Sequence, residues 1–231
     1  MRKLAAVLTG FTFLFNVALI AGTVYAAPHD LDRANDAYET RNSANTYAFE
    51  KSITPDLDRA SDAYDVGDYA TAYTHYKALA EQGNAIAQFN LGIMYKKGYG
   101  VPKNNTNAVG WFRKAADQGD AIAQYQLGKM YLSGHGVLQN YVEALKWIQG
   151  SAELGYPKAQ YHTGVMYKLG QGVSENKVLA YMWFSVAISR TYYPENRKAA
   201  VARHAVAAKM TPAEIAEAQR LAQGWKPKTP N

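Results

Sequence analysis

The chain has 231 residues, 48% of them apolar and 19% charged, with a formal net charge of +6. That composition is globular, neither polyelectrolyte nor low-complexity. It contains no cysteine, which excludes disulfides, iron–sulfur clusters, thiolate zinc sites, a cysteine nucleophile and a lipid-modified N-terminal cysteine.

Residues 1–26 read as a signal peptide. Arg2 and Lys3 supply the cationic start, Leu4 to Ala21 is mainly apolar, and Val24-Tyr25-Ala26 offers small residues before a cut near Ala26–Ala27. The rival reading is an uncleaved anchor, because the apolar run is long enough to span a bilayer. The small-residue site favours cleavage, so a periplasmic or secreted protein is expected, with membrane contact only if the signal is retained. Residues 27–54 follow as an acidic, polar segment with little apolar periodicity. Residues 27–65 carry nine acids against four bases, whereas residues 190–231 carry eight bases against three acids, so the expected mature chain is acidic at one end and basic at the other. Such asymmetry can steer a charged partner, although solvated helix faces account for it as well.

The run Asp30-Leu31-Asp32-Arg33-Ala34-x-Asp36-Ala37-Tyr38 recurs as Asp56-Leu57-Asp58-Arg59-Ala60-x-Asp62-Ala63-Tyr64. The second copy fits the first helix of a hairpin starting at Thr54-Pro55; the first reads either as a decayed hairpin or as a loose helix. A calcium loop would need a turn glycine and a closing bidentate Glu, which neither copy supplies.

From residue 55 to 190 the sequence repeats. Trp111, Trp147 and Trp183 are 36 apart, as are Gly83, Gly119 and Gly155, the pairs Ala87-Gln88, Ala123-Gln124 and Ala159-Gln160, and the tyrosines Tyr95, Tyr131 and Tyr167. The loop Gly98-x-Gly100-Val101 returns as Gly134-x-Gly136-Val137 and Gly170-x-Gly172-Val173. So many columns in one register predict tandem units, here hairpins over 55–83, 84–119, 120–155 and 156–190.

Each unit resolves into two helices. Helix A starts after Asn84, Asp120 or Tyr156-Pro157 and ends at the glycine loop; helix B starts after Asp68, Asn104, Asn140 or Asn176 and ends at Gly83, Gly119 or Gly155. Asn and Asp cap free N-terminal amides, and glycine supplies the positive φ that ends a helix. Gly92, Gly128 and Gly164 interrupt helix A at about 1 kcal/mol each, which implies close approach by the backbone of helix B. His75 stands in the tryptophan column and is expected to be packed and hydrogen-bonded. Residues 191–231 break the pattern and read as capping helices: an alanine-rich one over 194–210, then one opened by the capping box Thr211-Pro212-Ala213-Glu214, with Ile215, Leu221 and Trp225 facing inward.

The pattern Ala-Gln-x-x-Leu-Gly-x-x-Tyr-x-x-Gly-x-Gly-Val, followed by Ala-x-x-Trp-Phe-x-x-Ala-Ala-x-x-Gly, resembles the Sel-one-like repeat family, relatives of tetratricopeptide repeats. The resemblance is specific over 85–189 and weaker over 54–83, where the shorter connection looks tetratricopeptide-like. It implies an all-α fold, a right-handed α-solenoid of two-helix repeats closed by the C-terminal helix pair. It also implies that the free face of helix A lines a concave groove. That face carries the ladder Phe89, Tyr125 and Tyr161, flanked by Asn90, Gln126 and His162, by Ile93, Lys129 and Val165, and by Lys96, Leu132 and Lys168. Aromatic anchors beside amides, imidazole and lysines suit an extended peptide or acidic segment; packing between hairpins would explain half of them equally well.

No catalytic, cofactor or metal site is expected. Ser174-Glu175-Asn176-Lys177 spells the Ser-x-x-Lys of serine β-lactamases, but no Lys-Thr-Gly accompanies it and Asn176 stands in the cap column. The resemblance includes cysteine-rich members credited with β-lactam binding, whose cysteines this chain lacks. The five histidines form no i, i+4 pair, and the tryptophan column suits packing better than sugar stacking. The expected function is therefore an exported scaffold for a protein or peptide partner in the cell envelope, in a regulatory or assembly role. The alternative is a peptidoglycan- or glycan-binding or hydrolase-like protein. Nucleic acid is not an expected partner.

Overall fold

The computed structural model describes residues 55–190 and 195–229, all in one compact unit. The expected signal peptide and the acidic segment 27–54 lie outside the described residues. Among the described residues ten helices follow one another: α1 (Pro55–Asp65), α2 (Tyr69–Glu81), α3 (Ala85–Lys97), α4 (Asn105–Asp117), α5 (Ala121–Ser133), α6 (Tyr141–Glu153), α7 (Pro157–Leu169), α8 (Lys177–Arg190), α9 (Glu195–Ala207) and α10 (Pro212–Gly224). The described residues contain no strand. The helices pack in sequence as hairpins α1/α2, α3/α4, α5/α6 and α7/α8, and each B helix also packs on the next A helix. The array is the tandem α-fold that the columns predict.

Boundaries follow the expected chemistry. Asn84 accepts from the Ala87 amide, Asp120 from Ile122 and Ala123, Asn104 from Asn107, Asn140 from Val142 and Glu143, and Asn176 from Leu179. Tyr156 caps with no side-chain bond, and Pro157 begins α7 instead, where its missing amide costs nothing. Helix A ends on left-handed Gly98, Gly134 and Gly170. The second loop glycine has a different reason to be glycine. At Gly100, Gly136 and Gly172 a Cβ would collide with the backbone at Tyr69, Asn105 and Tyr141, which begin the preceding B helices. That contact locks each loop onto the previous hairpin.

The glycine inside helix A corrects one expectation. A Cβ at Gly92 would lie 2.7 Å from the Phe112 ring, and one at Gly164 would lie 2.7 Å from Phe184. At Gly128 it would fall 2.5 Å from the Ile148 side chain and 3.0 Å from the Ala144 carbonyl. The gap therefore chiefly admits a side chain of helix B, with backbone contact secondary. Phe112, Ile148 and Phe184 are fully buried as a result.

The Ala-Gln column has a role that pattern alone did not give. Gln88, Gln124 and Gln160 donate to the carbonyls of Ala80, Ala116 and Ala152 at 3.1, 3.2 and 3.3 Å. Those carbonyls lie near the end of the preceding B helix, where acceptors lack intrahelical donors. Beyond the repeats, α9 and α10 both pack on α8. The Thr211–Glu214 capping box is formed, and Ile215, Leu221 and Trp225 all face the core. The alanine-rich helix is shorter than the pattern suggested. His75 is half-buried, and its ring makes no hydrogen bond among the described residues, so only the packing half of that expectation holds.

Candidate functional site

The ladder on helix A divides into a buried part and a surface part. Phe89 is 1% exposed, Asn90 6%, Tyr125 3% and Gln126 2%, and Ile93 is buried as well. Phe89 packs on Phe112 at 5.8 Å between ring centroids. Asn90 turns its amide onto the Ile86 carbonyl of its own helix at 3.0 Å. Phe89, Ile93, Ile122 and Tyr125 share one apolar cluster, so the stripe next to the Ala87 column points between successive hairpins. These five side chains are therefore not an open groove wall. Spacing along one helix could not show this, because what covers a stripe comes from the next hairpin.

The surface part runs along the later hairpins. Lys129 and Lys168 are exposed, while Lys96, Leu132, Tyr161, His162 and Val165 are half-buried. The ladder is knitted across units. Lys96 donates to Gln126 Oε1 at 2.9 Å, and the Tyr125 hydroxyl lies 3.2 Å from His162 Nδ1. Tyr125 and Tyr161 both pack edge-on against the His162 ring at 5.3 Å, and the Lys129 ammonium lies 5.4 Å above the Tyr125 ring. Tyr161 and Val165 lean on the cluster that includes Ala202 and Val206 of α9. The terminal cap thus closes part of the third rung, in the fourth hairpin.

His162 is the titrating group of this surface. Its Nδ1 lies 2.9 Å from the Lys158 carbonyl, which can only accept, so Nδ1 carries the hydrogen and Nε2 keeps its lone pair. Burial pushes its pKa below the ordinary value of 6.5. The Lys158 carbonyl opposes that shift, while the charges of Lys129, Lys158 and Lys198 add to it. The patch around it is cationic, with a neutral imidazole at its centre near pH 7. Among the described residues no group of three or more His, Cys, Asp or Glu side chains could hold a metal.

The tryptophan column is spent on packing. Trp183 is buried, and Trp111 and Trp147 are half-buried against the cores of the first and later hairpins. The Trp111 and Trp147 rings each have a lysine over one face, Lys114 and Lys146 respectively.

Tandem antiparallel hairpins with one register, shared cores and a terminal helical cap define an α-solenoid repeat protein. The chain belongs to the Sel1 repeat family, whose profile matches residues 64–84, 85–120, 121–156 and 157–192. The first match covers only part of a unit, in keeping with the short connection Val66-Gly67-Asp68 between α1 and α2. Among solved structures, the chain is similar to a protective antigen present in uropathogenic Escherichia coli strains that displays an SLR fold. The identity is 34% and the TM-score 0.60, covering 67% of this chain and 32% of the antigen. The chain thus spans about a third of that antigen's length. It is also similar to a Sel1 repeat protein from Oxalobacter formigenes, at 34% identity and a TM-score of 0.51, covering 55% of this chain and 96% of that one. A search of curated protein sequences finds no match.

Proposed function

We propose that this chain is an exported scaffold that holds a protein or peptide partner in the cell envelope, its described surface recognising acidic, extended segments. The observation that carries this reading is the surviving surface of the ladder. Lys129 and Lys168 stand exposed beside half-buried Tyr161 and His162, a strip of cations and aromatic edges on a rigid frame. Such a strip can pair carboxylates and cover an apolar side chain at little cost in ordering. The signal-like N-terminus supports the envelope placement.

Affinity capture from envelope extract, with mass-spectrometric identification, tests the reading. Lys129→Glu with Lys168→Glu is the better probe than any change at Tyr125, because both lysines are exposed whereas Tyr125 is buried in the core. We expect a protein partner captured by the wild type and lost from the double variant, with unchanged helicity. Equal capture by both removes the strip from consideration. Recovery of muropeptides alone would favour a cell-wall ligand.

A further inference from the structure

The C-terminal tail is seated on the array, and its seat has copies. After α10, the Trp225 ring packs edge-on against Trp183 of α8, with centroids 5.9 Å apart and planes at 65°. Pro227 covers Gly155, lying 3.4 Å from where a Cβ on that glycine would stand. The Lys228 amide donates to the Glu153 carbonyl at 2.8 Å, and its ammonium meets the Glu153 carboxylate at 2.6 Å. The chemistry is that of a helix C-terminus. The Glu153 carbonyl ends α6 at the negative end of its dipole and takes its donor from the tail amide, while the Lys228 cation answers the dipole and the Glu153 carboxylate. Pro227 helps hold the tail extended.

Three positions make the seat: an acid ending helix B, a positive-φ glycine two residues on, and the tryptophan of the following helix B. One unit earlier the same positions are Asp117, Gly119 and Trp147; two units earlier they are Glu81, Gly83 and Trp111. The backbone repeats with them, since φ is +96° at Gly83, +87° at Gly119 and +97° at Gly155. Glu81 and Asp117 are exposed. A Cβ on Gly83 would meet nothing within 4 Å, where Gly155 has Pro227 above it. Trp111 and Trp147 are half-buried beneath the flexible lysines Lys114 and Lys146, at 4.0 and 5.5 Å from their rings, whereas Trp183 under Trp225 is 4% exposed. Lysine over tryptophan is an exposed contact that an incoming aromatic ring can replace.

We propose that the Glu81–Gly83–Trp111 and Asp117–Gly119–Trp147 seats bind an extended cationic segment of a protein partner, one carrying an aromatic residue, a proline two positions on and a lysine next to it. The ligand chemistry is read from residues 225–228, which fill the third seat. This second surface rests on the scaffold reading and is independent of the helix-A strip, so failure of one leaves the other standing.

The probe is a fluorescent peptide of residues 222–229 (Ala-Gln-Gly-Trp-Lys-Pro-Lys-Thr), titrated with the full chain by anisotropy. We expect saturable binding that weakens with salt and falls at least tenfold for Glu81→Lys with Asp117→Lys, helicity being unchanged. A peptide carrying Lys228→Glu should lose binding to the wild-type chain to the same degree, which keeps the test open should the double variant fold poorly. Glu153→Lys should leave binding in place. No saturable binding, binding indifferent to the double variant and to the peptide change, or binding lost with Glu153→Lys alone would each overturn the proposal; the last would mean that the peptide merely displaces the resident tail.

Discussion

Two glycines inside helices show how local propensity and packing part company. Gly110 lies mid-way along α4, and a Cβ there would meet nothing within 4 Å. Gly110→Ala should therefore raise stability by about 0.5–1 kcal/mol. Gly128 in α5 has the same propensity to gain, but its Cβ would fall 2.5 Å from Ile148. Overpacking of that kind costs about 1–3 kcal/mol, so Gly128→Ala should be destabilising on balance. Urea midpoints of the two variants should move in opposite directions, and parallel movement would refute the packing account of the Gly128 column. His162 supplies a pH effect of defined sign. Its pKa is depressed by burial, so the unfolded chain binds more protons than the folded one just below the ordinary value of 6.5. Its contribution is complete above that value and is lost as pH falls through it towards the lower folded pKa. His162→Gln should flatten the fall in melting temperature between pH 7.5 and 5, measured by circular dichroism, relative to the wild type.

Among the elements, α3 and α10 are opposites. Residues Ile86 to Met94 of α3 are buried around the helix, and such a helix needs neighbours on every side. The stability of α10 depends far more on its ends. Thr211 accepts from the Glu214 amide while the Glu214 carboxylate accepts from the Thr211 amide. Thr211→Ala should cost about 1 kcal/mol, and hydrogen exchange in α10 should quicken while α5 and α6 keep their protection. The same hydrogen bonds from Thr211 hold the Glu214 carboxyl below its ordinary 4.5. The capping box is therefore complete above that pH and fails as pH drops through the lowered folded value. Because α10 leads into Trp225, loosening it should also uncover Trp183 and shift tryptophan emission to the red.

Apart from the tail's contacts with Glu153 and Gly155, the helices pack between neighbours in sequence, from each hairpin to the next and then to the cap. Stability in such an array is close to a sum of unit and interface terms. Deleting residues 121–156 removes one full period and should rejoin matching surfaces. The B helix α4 would meet α7 in place of α5, and Ala116 would meet Gln160 in place of Gln124, as Ala152 does now. The shortened chain should fold with the same helicity per residue and a lower melting temperature. A molten, non-cooperative product would show that the units are less interchangeable than their columns suggest.

The repeat register, the caps, the glycine loops and the terminal capping box were all legible in the sequence, because each depends on residues within one turn of chain or on a column that recurs every 36 positions. Asn84, Asn104 and Thr211 cap their helices through local geometry, and local geometry is what a sequence encodes directly. The fate of the helix-A ladder was not legible. Phe89 and Tyr125 carry the same pattern as half-exposed Tyr161, and only the hairpins on either side decide which of them is covered. The seat of the tail was equally hidden, although Trp225 was expected to face inward and does. Trp225 and Lys228 stand far along the chain from Glu153 and Gly155, and nothing periodic connects them. Burial and long-range pairing depend on which surfaces meet in space, and that meeting is set by the tertiary structure.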